Sequence, residues 1–172
     1  MKPVPTSLSL ATGAAPRPVG IVSLRVHRDG RLIAAYEARN LFVNAGLPAL
    51  AALIAGDTTG QFASAVGFGS GSAAPTVGDV ALSTPAYYKL LDSHVENGSS
   101  PGPGSAQFNW SLTAADSGAL GITIQELGLF ANPSGVALPG INAPTLLMAR
   151  KTIAPLTFST GMSLTGTWTL TF

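Results

Sequence analysis

His27 and His94 are the only imidazoles in this chain of 172 residues, and no cysteine accompanies them. A nucleophilic triad needs a hydroxyl, a histidine and an orienting acid within hydrogen-bond reach. His27 sits beside a hairpin turn and His94 near a glycine-rich loop, and neither lies in a G-x-S-x-G elbow. Two histidines at this spacing are too few to suggest zinc. The absence of cysteine removes disulfides, thiolate nucleophiles and cysteine-ligated metals. Val66-Gly67-Phe68-Gly69-Ser70-Gly71 is rich in glycine. A dinucleotide fingerprint, however, runs G-x-G-x-x-G into a helix. Here Gly67, Gly69 and Gly71 alternate and lead into Ala73-Ala74-Pro75-Thr76 with no Walker lysine, so a strand end running into a turn is the better account. The expectation is a protein without catalytic activity and without a cofactor.

One charged pair stands out. In Ile122-Thr123-Ile124-Gln125-Glu126-Leu127-Gly128-Leu129-Phe130, Glu126 shares strand parity with Ile122, Ile124 and Phe130. Arg150 shares parity with Leu146 and Met148. A carboxylate on an apolar face is costly unless paired and hydrogen-bonded. Two strands each carrying one charge on such a face predict a structural ion pair, Glu126 with Arg150. A catalytic role would need a second acid or a cofactor. For ligand recognition, Tyr87, Tyr88 and Trp110 are the aromatic candidates that could stack on a glycan if exposed.

The elements that must position these residues are β-strands. Met162, Leu164, Gly166, Trp168, Leu170 and Phe172 alternate with Ser163, Thr165, Thr167, Thr169 and Thr171. Period two with one apolar face marks a strand buried on one side, with Phe172 expected inward. The other face is polar without being charged. Across the chain 46% of residues are hydrophobic and only 10% are Asp, Glu, Lys or Arg; an ordinary soluble domain carries about 25% charged residues. Few charges suit a surface covered by neighbours better than a lone monomer. The formal net charge of +1 gives no electrostatic case for nucleic acid or an anionic membrane. No apolar run approaches the ~18 residues of a membrane helix, and proline interrupts any h-region, so no signal peptide is expected.

Twenty glycines and thirteen prolines favour a turn-rich β protein. Residues 1–18, interrupted by four prolines, read as an extended N-terminal arm, and residues 19–172 as a single domain. Ile21 to His27 and Arg31 to Arg39 flank Asp29-Gly30, the dipeptide of a tight hairpin. The arginines Arg17, Arg25, Arg28, Arg31 and Arg39 read as a charged edge that discourages stray pairing. Asn44 is placed to cap a short buried helix, Ala45 to Ile54, stopped by Gly56. Strands follow at Gln61 to Phe68, Tyr87 to Val95, Gln107 to Leu112, Gly121 to Phe130, Thr145 to Ile153 and Met162 to Phe172. Val80 to Thr84 is a short element. Asn97 to Ser105 and Asn132 to Pro144 are Pro/Gly-rich excursions suited to outside contacts.

The order of several blocks resembles small tail and fibre-associated proteins of tailed bacteriophages. These blocks are Asn40-Leu41-x-x-Asn44-Ala45-Gly46, Ala65 to Gly71 followed by Ala-Pro-Thr, Asp79 to Leu82, Ile124 to Phe130, Leu146 to Arg150 and Gly166 to Phe172. The resemblance spans Asn40 to Phe172. It implies a virion structural protein, with no catalytic residues to transfer, and a β-sandwich of the kind found in fibres, baseplates and decoration proteins.

Together these readings give an all-β, antiparallel, jelly-roll-like β-sandwich with one short helix. It is expected to form a symmetric homo-oligomer, a trimer by analogy, among other virion proteins after synthesis in a bacterial cytoplasm. A capsid decoration (cement) protein is the alternative address. A carbohydrate- or receptor-binding module that meets a host-surface glycan is the alternative function.

Overall fold

The computed structural model describes residues 17–98, 104–131 and 146–172. Most of the expected arm and most of the two Pro/Gly-rich excursions lie outside the described residues. The chain forms nine strands: β1 (Val19–Arg28), β2 (Arg31–Phe42), β3 (Ala63–Gly69), β4 (Pro85–Leu90), β5 (Ser93–Asn97), β6 (Ser105–Leu112), β7 (Thr123–Ala131), β8 (Leu146–Thr157) and β9 (Met162–Thr171). One helix, α1 (Gly46–Ile54), follows β2. All pairings are antiparallel, in the order β4-β3-β7-β8-β2-β1-β9-β6-β5. The expected all-β architecture is therefore present as one sheet curled into a half-barrel.

The curl has a definite seam. β2 and β8 pair only through Leu41 with Arg150 and Phe42 with Ala149, and the sheet folds there. Its halves, β4-β3-β7-β8 and β2-β1-β9-β6-β5, enclose a common core. Phe68 of β3 meets Trp110 of β6 edge to face, with ring centroids 5.3 Å apart. Trp168, Leu164, Leu170, Ile124, Leu127 and Leu129 are fully buried with them. Beyond the seam, residues Arg31 to Asn40 have no ladder partner on that side among the described residues. Arg31, Glu37 and Arg39 stand exposed along this stretch, where charge discourages stray pairing, whereas Arg25 and Arg28 of the expected charged edge lie on β1, which is paired on both sides.

The β1–β2 hairpin turns at Asp29 (φ 48°) and Gly30 (φ 77°), the left-handed pair of a type I′ turn. The Asp29 amide also donates to the Gly161 carbonyl at 2.8 Å, which ties the turn to the start of β9.

Four expectations need correction. First, Tyr87 to Val95 is not one strand. It breaks at Leu91 and Asp92, because β4 belongs to one half of the sheet and β5 to the other, and this explains the weak period two. Second, α1 is not a buried helix. Only Gly46 and Ala49 are buried, and Ile54 is 89% exposed. The contact face is made of small residues because Gly46 abuts the Met148 backbone and the Phe42 ring. Third, Asn44 gives no side-chain cap to the helix, whose N-cap position is Ala45. The Asn44 Oδ1 instead accepts a 2.6 Å hydrogen bond from Arg17. The stop at Gly56 (φ 90°) is as expected. Fourth, Phe172 is 59% exposed. It lies past the last ladder pair of β9, its amide donating to the Gly104 carbonyl at 3.0 Å.

Candidate functional site

Glu126 is fully buried and Arg150 is 2% exposed. Arg150 Nε and Nη2 donate to Glu126 Oε2 at 2.9 and 2.6 Å. The expected ion pair is thus made, on the face Glu126 shares with Phe130 as parity indicated, but not with Ile124 and Met148, which face the other way. β-Bulges interrupt the β7–β8 ladder between Ile124 and Glu126 and again between Leu129 and Phe130. A bulge shifts the side-chain alternation by one. Ile124 and Met148 consequently face the main core, whereas Glu126, Phe130, Arg150 and Leu147 face away from it. Both charges moved together, so the partnership survived.

What covers this second face is the connection from β3 to β4. Gly71 and Thr84 donate their amides to Glu126 Oε1 at 3.2 and 2.7 Å, and Ser83 donates its amide to Oε2 at 3.0 Å. Arg150 Nη1 reaches Asp79 Oδ2 at 2.7 Å, and Nη2 reaches the Ala73 carbonyl at 3.2 Å and Ser83 Oγ at 3.0 Å. Asp79 in turn accepts from the Thr76 amide and hydroxyl. The alternating glycines now have a physical reason: a Cβ at Gly69 or Gly71 would collide with the Glu126 carboxylate, and one at Gly67 with Phe130 and Tyr88. The glycine run does surround an anion, and the anion is the protein's own.

Burial alone would raise the Glu126 carboxyl. The Thr84 and Ser83 amides and the Arg150 guanidinium outweigh burial and hold the group below its ordinary range. Asp79 is lowered in the same way, against its own desolvation, by Thr76 and Arg150. Both oxygens of Glu126 are occupied by protein donors, so this cluster is a latch for the loop rather than a proton-transfer site. A second latch is Asp116, which accepts from the Thr113 amide (2.8 Å), Lys89 (3.0 Å) and Tyr87 (3.2 Å). Sequence reasoning did not find Asp79, Ser83 or Asp116 as partners. The Thr76-x-x-Asp79 spacing, typical of local side-chain-to-backbone bonding, was the one signal available.

No family model, curated protein or solved structure matches this chain.

The aromatic candidates fall inside the fold. Trp110 is 1% exposed and Tyr87 8%, and Tyr88 is half-buried against Phe130. Trp110 and Tyr87 are core residues, so an exposed stacking platform made from the three is corrected. His27 lies on the outer face of β1 and His94 on the inward side of β5, and no triad brings them together. Among the described residues no group of three or more His, Cys, Asp or Glu could hold a metal, and no helix is long and apolar enough to cross a membrane.

The most distinctive surface is the outer face of β2-β1-β9-β6-β5. Cross-strand register places Glu37, Ser23, Thr167, Asn109 and Ser93 in one row. The next row is Arg39, Ile21, Thr169, Gln107 and Val95. On the other side, Ala35, Arg25, Thr165 and Ser111 form a third. Four strand spacings of about 4.8 Å make this face roughly 19 Å wide. Its polar groups are held by one another: Ser23 donates to Glu37 at 2.8 Å, Gln107 to Asn109 at 2.9 Å, Asn109 to Ser93 at 2.9 Å and Ser111 to Asp92 at 2.7 Å. A groove of about 690 Å³ runs over Thr165, Gly166 and Thr167, with Glu37 on one flank and Asp92 on the other.

Proposed function

We propose that this chain is a structural protein of a tailed-phage virion, made in a bacterial cytoplasm and assembled as a symmetric oligomer, with a trimer as the expected state. The observation that carries the reading is the outer face of the five-stranded half. It is a broad array of hydroxyl and amide side chains in which lateral hydrogen bonds join Ser23 to Glu37, Gln107 to Asn109, Asn109 to Ser93 and Ser111 to Asp92. The side chains on β9 at its centre, Thr165, Thr167 and Thr169, are short and uncharged, so they lose little side-chain entropy on association. The resemblance in block order from Asn40 to Phe172 supports the same reading and favours the tail, baseplate or fibre apparatus. A decoration protein on the capsid would use the same face at a different address.

Size-exclusion chromatography with light scattering tests this directly. The wild-type chain is expected to elute as an oligomer. Thr165→Lys, Thr167→Lys and Thr169→Lys together are expected to give a folded monomer with an unchanged β-sheet circular dichroism spectrum. A wild-type monomer at high concentration, or an oligomer that tolerates all three lysines, rejects the proposal.

The groove favours a second reading, recognition of a neutral, hydroxyl-rich glycan through Glu37, Asp92, Asn109 and Ser111. Binding on a glycan array that Asn109→Ala abolishes would support that reading over assembly.

A further inference from the structure

At the end of the half-barrel where β9 finishes, a second and smaller cavity of about 270 Å³ opens between the two layers. It exists because both layers offer alanine there. Ala106 of β6 stands between Glu96 and Leu170 in a cross-strand row that faces inward, and Ala63, the first residue of β3, lines the cavity from the other layer. The buried Leu170 and Met148 line its depth, and Leu50 and Leu53 of α1 line one side. A cavity of about 150 Å³ holds a benzene ring, so this one has room for a long aliphatic side chain.

The remaining side is polar. β5 turns His94 and Glu96 toward the cavity, while Ser93, Val95 and Asn97 take the outer side. Val95 is 45% exposed, so this strand carries its acid inward and its apolar residue outward. An inward charge on an edge strand discourages stray pairing, but that alone does not call for an apolar cavity beneath it. Glu96 is exposed to water at the mouth. Among the described residues the lining includes no Lys or Arg. An apolar interior with one carboxylate at its mouth complements an aliphatic stem with a positive head. Lysine has that form, and its stem buries readily while its ammonium stays wet.

The mouth indicates where such a group comes from. Phe62 and Phe172 are 53% and 59% exposed there. A free amine would sit inside and leave them bare, whereas a protein surface carrying the lysine would cover them too. We propose that this cleft receives a lysine side chain of a neighbouring protein. Its methylenes lie against Leu53, Met148 and Leu170, and its ammonium meets Glu96. The contact is separate from the outer face and does not depend on the oligomeric state.

Amide NMR titrations of the full chain with n-pentylammonium, n-pentanol and pentanoate test the cleft. The ammonium is expected to shift Leu50, Leu53 and Ala106 saturably and to bind roughly tenfold more tightly than pentanoate, with pentanol between them. Glu96→Gln, a change at an exposed position, is expected to erase that order. Ala106→Phe fills the space and is expected to abolish binding of all three. No shift in the cleft, pentanoate binding as tight as the ammonium, an order that survives Glu96→Gln, or binding that survives Ala106→Phe would overturn the assignment. The peptide Ala-Ala-Lys-Ala-Ala is expected to reach the same residues and to shift Phe62 and Phe172 as well. A norleucine peptide that binds as tightly as the lysine peptide, or a lysine peptide that leaves the cleft unshifted, would overturn the protein partner.

Discussion

Trp110 of β6 lies directly across Gly166 of β9, so that a Cβ at Gly166 would fall within the indole ring. The two residues are register partners, and the missing side chain is the space the ring occupies. Trp110 then reaches Phe68 of the opposite layer, which makes this glycine a condition for the two halves to close. Gly166→Ala is expected to destabilise the fold by about 3 kcal/mol, the upper end for overpacking a tight core. A lowered urea midpoint with an unchanged slope would be the confirming measurement.

The two tryptophans differ in how their indole N–H groups are satisfied. With its amide oriented to donate to the Gly20 carbonyl, Asn40 accepts from Trp168 Nε1. Trp110 Nε1 is buried without a partner among the described residues. Trp168→Phe strands the Asn40 carbonyl, while Trp110→Phe removes an unsatisfied donor. We expect Trp168→Phe to cost about 1–2 kcal/mol more than Trp110→Phe. Equal losses in chemical denaturation would contradict the assignment.

Removing one partner of a buried ion pair leaves the other charge uncompensated, at a cost of about 3–5 kcal/mol. Glu126→Gln and Arg150→Met should each fall in that range, and the double variant should cost less than their sum. Both residues hold the β3–β4 connection, Glu126 through the amides of Gly71, Ser83 and Thr84 and Arg150 through Asp79, Ala73 and Ser83, so either substitution should expose residues 71–84 to limited proteolysis. Cleavage unchanged from wild type in both variants would argue against a loop latch.

The carboxyls of Glu126, Asp79 and Asp116 are all lowered in the folded protein. In acid the unfolded chain takes up protons at these groups before the folded chain does, so falling pH favours unfolding. Their contribution is complete above the ordinary carboxylate range, near pH 4, and is lost as pH drops through the lower folded values. The unfolding free energy should therefore be nearly flat from pH 7 to about pH 5 and decline below pH 4. Glu126→Gln should make that decline shallower. A slope unaffected by the substitution would show that Glu126 is not a main contributor.

Local sequence carried the antiparallel strands, the Asp29-Gly30 hairpin, the Gly56 stop and the alternation of β9, because each follows from nearest-neighbour backbone chemistry. It also named Glu126 and Arg150 as partners. It grouped them with Ile124 and Met148, which face the other way, because a bulge is a property of two paired strands and one strand read alone does not reveal it. Parity between Tyr87 and Val95 failed for a related reason, since the break between β4 and β5 is set by which half of the sheet each joins. The helix was legible but its depth was not. Leu50, Leu53 and Ile54 look like core residues until the layers leave one end open around them. Residue types and their period thus determined what this chain builds: strands with one greasy side, one uncharged side and a single buried charge pair. Only the closing of the sheet at Leu41 and Phe42 decided which sides meet, because burial depends on distant segments that the chain brings together when it folds.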